Sequence, residues 1–284
     1  MKSLRIDKYI KTSIFTIKVL VLLVLMLVIL TGCSSNVDNT VSTTASNSNS
    51  TNNTVSEKTE TKTIDQVDFE AAAKKQMAAP EVGEEIAIFH IKGYGDVKVK
   101  FFKDVAPKAV ENFLTHAKNG YYNGVTFHRV INEFMIQGGD PTGTGTGGES
   151  IWGAGFPEEL AYELVPYRGS LCMASAGVGT SSLGSQFFIT QAHYKDDEGA
   201  YFSKVGLPES LRKQYEVYGG NILSLYCSYT VFGQVYEGMD IVDKIAAVET
   251  GSVPMVINGV TYGTQADKPV KDVVIESIEV TVQK

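Results

Sequence analysis

The chain has 284 residues, 43% of them hydrophobic, and a formal net charge of −7. That length gives room for one globular domain of about 150–200 residues plus extras, and the acidic balance excludes a nucleic-acid binder of the usual basic kind. Four His and three Cys, with no CxxC or HExxH spacing, give no basis for a metal centre.

Residues 1–18 carry Lys2, Arg5, Lys8, Lys11 and Lys18 against Asp7 alone, and residues 19–30 are unbroken apolar. A basic stretch followed by a short apolar one is the pattern of an export signal. The apolar run is shorter than the roughly 20 residues a spanning helix needs, although joined to SIFTI (13–17) it could serve as an uncleaved anchor. Leu30-Thr31-Gly32-Cys33 resembles a bacterial lipobox, whose cysteine receives a diacylglycerol and becomes the mature N-terminus. Residues 1–32 therefore read as a lipoprotein signal peptide and Cys33 as a lipid anchor that needs no spanning helix. Residues 34–63 are mostly Ser, Thr, Asn and Val, with too little apolar surface to offset ordering, and read with Cys33 as a flexible tether. Cys172 and Cys227 remain; they are expected as two separate buried thiols, a pairing being beyond what spacing can show.

Residues 64–80 predict a short helix ending before Pro80, within a lead-in segment 64–83. The folded domain is expected over 84–284. Residues 84–91 and 96–102 alternate as strands joined by KGYG, a hairpin signal. Residues 106–120 predict a helix, with Pro107 in its first turn, Gly120 past its end and an apolar stripe of Val110, Phe113, Leu114 and Ala117. Further strands are expected at 126–131, 134–138, 170–174, 185–190 and 229–236. A second amphipathic helix is expected at 238–248, with Ile241, Val242 and Ile245 on one face, and a closing strand at 270–282. Residues 192–228 read as a surface excursion containing a helix from Pro208 to Gly219, with Leu211, Tyr215 and Tyr218 on one face. Many strands and two well-separated helices predict a closed antiparallel barrel capped by helices.

Three blocks carry the chemistry: FHRVINEFMIQGGDPTGTGTGG (127–148), GSLCMASAGVGTSSLGSQFFIT (169–190) and YTVFGQVYEGMDIVDKI (229–245). Together they resemble the cyclophilins, a family of peptidyl-prolyl cis-trans isomerases, over roughly residues 84–282. The resemblance implies a mainly β fold, an eight-stranded antiparallel barrel capped by two helices, here with the helical insertion at 192–228. It implies no cofactor.

The reaction needs no bond cleavage. An X–Pro bond resists rotation by about 18–20 kcal/mol because the nitrogen lone pair is shared with the carbonyl. In the twisted state that nitrogen becomes pyramidal and can accept a hydrogen bond. A fixed cationic donor beside it would stabilise the twisted state selectively. Taken alone, Arg129 would read as a barrel arginine paired with a carboxylate. Within the motif, the resemblance implies that it is the catalytic donor, supported by Gln137. It implies a proline pocket of Phe134, Met135 and Phe188, with Gln137 and Gln186 orienting the substrate carbonyl and supporting Arg129, and the backbone of Ala174 and Ser175 binding the peptide. Met135 and Gln137 lie two apart, as do Gln186 and Phe188, so each pair points to one face of its strand. His128, on a regular strand, would face away from Arg129 and is read as structural.

The chain departs from the family pattern in places. Ser175 stands where the family commonly has Asn. In NILSLYCSYTVFG (221–233), Tyr229 replaces a His and the usual upstream Trp is missing; Leu225 is the nearest match to the pocket leucine. Gly143–Gly148 satisfies GxGxxG, but no helix pattern follows it, so it reads as a loop that lets a peptide approach rather than a dinucleotide site.

The expected function is acceleration of X–Pro isomerisation in the folding of exported proteins. The alternative is a proline-peptide-binding chaperone or adaptor with little turnover. The expected partners are proline-containing unfolded or exported polypeptides and, through Cys33, a membrane. The chain is expected to be a monomer at the extracytoplasmic face of the cell membrane, with a Gram-positive surface favoured by the long polar tether.

Overall fold

The computed structural model describes residues 63–195, 198–257 and 260–284. The expected signal peptide, Cys33 and nearly all of the tether lie outside the described residues. Among those described, no helix is long and apolar enough to cross a membrane.

Eight strands form one antiparallel sheet. They are β1 (Glu85–Ile91), β2 (Gly95–Phe101), β3 (Arg129–Ile131), β4 (Met135–Gly138), β5 (Ser170–Met173), β6 (Phe187–Thr190), β7 (Val231–Glu237) and, last in the chain, β10 (Ile275–Val282). Their order is β10-β1-β2-β7-β5-β6-β4-β3. The two edges are joined by the chain just before β3. Phe127 N–H donates to Val273 at 3.0 Å and Ile275 N–H to Val125 at 2.9 Å, around an antiparallel bridge of Thr126 and Val274. The sheet therefore curls back on itself.

Pleating sorts the side chains of these strands into two sets. Leu171, Met173, Ile136, Phe187 and Ile189 point into the main core. Their alternates Cys172, Met135 and Phe188 belong to a separate apolar cluster on the other face. Helix α2 (Pro107–Lys118) closes the main core. Val110, Phe113, Leu114 and Ala117 are all buried, and the Phe113 ring lies 5.2 Å from Tyr122 and 5.5 Å from both Phe187 and Phe232. Helix α6 (Met239–Ala246) packs against β2, β3 and β4 and buries Val242 and Ile245.

The structure differs from the sequence reading in several places. The lead-in is not one helix: a single tight turn at Ile64–Gln66 is followed by α1 (Phe69–Met77). Asp68 interrupts the two, because its carboxylate accepts the Ala71 N–H at 3.0 Å and restarts the helix as an N-cap. Residues 250–269, given no element from sequence, form a hairpin of β8 (Thr250–Ile257) and β9 (Val260–Pro269). Both cysteines are free thiols, but only Cys172 is fully buried; Cys227 is half-buried.

The excursion at 192–228 is helical: α3 (Gly199–Lys204), α4 (Glu209–Tyr218) and α5 (Ile222–Leu225). It encloses a second core with α1, in which Phe69, Ala73, Val165, Tyr167, Phe202, Leu211, Tyr215 and Ile222 are buried. Tyr167 is fully buried there, and its hydroxyl has no hydrogen-bond partner among the described residues. A desolvated, unpaired hydroxyl is a net cost. Tyr167→Phe is therefore expected to raise stability by about 1 kcal/mol, or about 2–4 °C in Tm. Thermal denaturation checks this, and a fall of similar size would mean that the hydroxyl is bonded.

Candidate active site

The register of the sheet sets the site. Arg129 on β3 pairs directly with Gln137 on β4, Gln137 with Phe188 on β6, and Phe188 with Cys172 on β5. These residues form one row across four strands on the face turned away from the main core. Above the row opens a cavity of about 370 Å³, within the range of about 300–1,000 Å³ typical of small-ligand sites.

Arg129, Phe134, Met135 and Gln137 line this cavity from β3, β4 and their turn. Ala174, Ser175 and Phe188 line it from β5 and β6, and Leu225 and Tyr229 from the end of the helical excursion. Gln186 lies in the adjoining groove with Gln137, Ala174 and Ser175. All the residues singled out from sequence for substrate chemistry are thus brought together. The floor is apolar and fixed: Met135, Phe188 and Leu225 are buried, and Tyr229 meets the Phe188 ring edge-on at 5.3 Å. Tyr229 thus gives the cavity an aromatic wall.

The polar side is a one-way relay. Arg129 Nη1 donates to Gln137 Oε1 at 3.5 Å, Gln137 Nε2 donates to Gln186 Oε1 at 3.0 Å, and Gln186 Nε2 donates to the carbonyls of Gly145 and Gly147 at 3.1 and 2.7 Å. Because the relay ends on carbonyls, each amide can face only one way. Its last members belong to the glycine-rich loop, of which Thr144, Gly145 and Thr146 also line the cavity. No helix follows this loop.

Asp140 shapes that loop, a role the sequence did not disclose. Its carboxylate is fully buried and accepts the N–H groups of Thr142, Thr144, Gly145 and Gly147 and the hydroxyl of Thr142. Burial pushes this carboxyl up, but the Thr142, Gly147 and Gly145 hydrogen bonds outweigh it and hold the pKa below the ordinary value. A Cβ on Gly147 would collide with the same carboxylate, so glycine is required there.

Two further groups reach the site. His128 does not stand apart from Arg129: it is buried and forms part of the cavity wall. β3 begins only at Arg129, so the strict alternation expected of a strand does not extend to residue 128. Burial lowers its pKa to about 4, with Arg129 and Lys268 adding to the effect and Asp140 opposing it, so the imidazole is neutral near pH 7. Asp267, on β9, places Oδ2 3.9 Å from Arg129 Nε. The carboxylate partner expected of an isolated barrel arginine is therefore present as well, supplied by the hairpin that sequence reading left unassigned. It lies on the Nε edge, while Gln137 takes Nη1.

What remains is a guanidinium flanked on two sides beside an apolar hollow, with Ala174 and Ser175 along one margin. Such a site binds a small apolar ring in an extended peptide and offers a cation next to it. No nucleophile or general base is needed for that task.

Comparison with known proteins agrees with the geometry. Residues 86–280 match the family model described as cyclophilin type peptidyl-prolyl cis-trans isomerase/CLD. A Staphylococcus saprophyticus protein is 47% identical over 199 residues, covering 70% of this chain and 93% of its own. One from Staphylococcus haemolyticus is 46% identical over 209 residues, covering 71% and 96%. The names of both place them among the peptidyl-prolyl cis-trans isomerases. Among solved structures, a Cryptosporidium parvum cyclophilin type peptidyl-prolyl cis-trans isomerase aligns with TM-score 0.54 and 30% identity over 71% of this chain and 99% of its own. A structure of that protein in the presence of the dipeptide Ala-Pro aligns with TM-score 0.53 and 31% identity, covering 70% and 99%.

Proposed function

This chain belongs to the cyclophilin-type peptidyl-prolyl cis-trans isomerases, and from that premise we propose that it accelerates X–Pro rotation in exported polypeptides at the outer face of a cell membrane, anchored through Cys33. The observation that carries the reading is Arg129, held by Gln137 and Asp267 beside the apolar cavity of Met135, Phe188, Leu225 and Tyr229.

The proline ring seats in the cavity, and Gln186 with the Ala174–Ser175 backbone fixes the flanking peptide. As the amide twists, conjugation is lost and the lone pair once shared with the carbonyl localises on the prolyl nitrogen. Arg129 donates to that nitrogen. The planar ground state offers no comparable acceptor there, so the interaction favours the transition state selectively. His128, neutral and buried, moves no proton. Uncatalysed exchange takes tens to hundreds of seconds, so catalysis matters where chains fold after export.

The lipobox-like LTGC (30–33) and the polar tether support the location: a lipid holds the chain, and the tether lets the site reach clients as a monomer. With the full chain expressed in an export-competent bacterium, mass spectrometry of the mature protein should find Cys33 N-terminal and lipid-modified, in the membrane fraction. Cys33→Ser should leave that fraction by about tenfold or more. Equal partition of the two chains, with no lipid on Cys33, would overturn the anchor.

A further inference from the structure

We infer that α1, which lies ahead of the family-matched residues 86–280, is a positioning element of the proline pocket, with Phe69 and Gln76 as its positioning residues. The inference rests on the isomerase reading of the cavity and deepens it.

Phe69, Ala73 and Gln76 fall at helical spacing on one face of α1, and all three are buried. Gln76 is a polar group in an apolar core, yet it is well satisfied. Its Nε2 donates to Val165 O at 2.7 Å, to Ser170 Oγ at 3.1 Å and to Gln234 Oε1 at 3.2 Å, and its Oε1 accepts the Val165 N–H at 3.0 Å. One side chain thus ties α1 to the 164–165 segment, to β5 and to β7. Phe69 meets the Tyr226 ring edge-on at 6.5 Å, and Tyr226 donates its hydroxyl to Tyr162 O at 2.9 Å.

The neighbours of these anchor points face the other way. Val165 packs in the second core with α1, and Leu164 in the pocket cluster. Tyr226 packs towards Phe69, while Leu225 and Tyr229 line the cavity. At Leu225–Tyr226 the wall that holds the proline ring is therefore one residue thick, and α1 is its backing. The opposite wall, with Arg129, Gln137 and Gln186, comes from β3, β4 and the approach to β6 and is held by its own relay. Loosening α1 should therefore disturb ring binding and spare the donor.

The test is Phe69→Ala in the full chain, read by cis-trans exchange and binding of a short Ala-Pro peptide in NMR. KM and the peptide Kd should rise about tenfold, with kcat within about twofold of wild type. Phe202→Ala is the control: that ring stacks on Tyr215 in the same second core, 5.8 Å away, without forming the pocket wall. It should lower Tm comparably and leave KM unchanged. Phe69→Leu, the milder truncation, should give an intermediate KM and serves if Phe69→Ala does not fold. Wild-type KM in either folded Phe69 variant, or an equal KM rise in Phe202→Ala, would overturn the inference. Failure of the isomerase reading looks different: wild type itself would not speed exchange.

Discussion

Arg129→Ala lowers kcat/KM for exchange in an Ala-Pro peptide by about 10²–10³-fold, while peptide affinity changes by no more than about threefold. The size follows from the role. Removing one preorganised donor aimed at developing charge costs about 2.7–4 kcal/mol of transition-state stabilisation. The affinity should survive because the ring is held by Met135, Phe188, Leu225 and Tyr229, none of which needs the guanidinium for its place. Folding should survive as well, because Arg129 is half-exposed and its neighbours are a neutral amide and a half-exposed carboxylate. NMR exchange spectroscopy with wild type and variant decides it. If both bind the peptide and neither speeds exchange, the pocket is a binding module, the alternative function that the sequence offers. If the variant retains most of the wild-type rate, the donor is another group and the mechanism above is wrong.

Asp140→Ala is expected to cost about 3–4 kcal/mol, lowering Tm by about 6–15 °C, and to reduce kcat/KM about tenfold in the protein that remains folded. Its carboxylate takes the backbone N–H groups of Thr142, Thr144, Gly145 and Gly147 at one point. Without it those donors turn to water and the loop opens. Gln186 then loses the Gly145 and Gly147 carbonyls that orient it, and the relay to Arg129 loses its fixed end. Asp140→Asn, which keeps one acceptor oxygen, should fall between. The pH dependence has a definite sign. The folded-state pKa lies below the ordinary 3.8. The ionised carboxylate is thus the stabilising form, its contribution complete above that value and lost as pH falls through the folded pKa. Calorimetry and the exchange assay on the same samples check both effects. A Tm within about 2 °C of wild type would show that the loop holds itself.

Much of the fold was legible because it is written locally. The two-residue spacing of Met135 with Gln137 and of Gln186 with Phe188 put each pair on one face of a strand. Pro107 and Gly120 bounded α2, and Pro208 and Gly219 bounded α4. Leu225 and Tyr229 were placed by their position in a motif and do line the cavity. The hairpin at 250–269 went unassigned although Asn258-Gly259, a strong turn signal, lies between its strands; the surrounding residues alternate too weakly to announce them.

By itself, the sequence determined the periodicities, the turns and the residue types in each motif, because these depend on neighbours a few positions away. Only the tertiary structure decided which of those residues share a polar partner. Gln76 and Gln234 stand 158 positions apart and meet at 3.2 Å; Arg129 meets Asp267 from a hairpin far along the chain; Asp140 gathers donors that any loop could have given to water. A hydrogen bond is fixed by distance and angle in space, and a buried one is kept only where packing excludes the solvent that would otherwise replace it. Burial of this kind is a property of the whole fold, so the partners of a buried polar group cannot be read from the residues beside it.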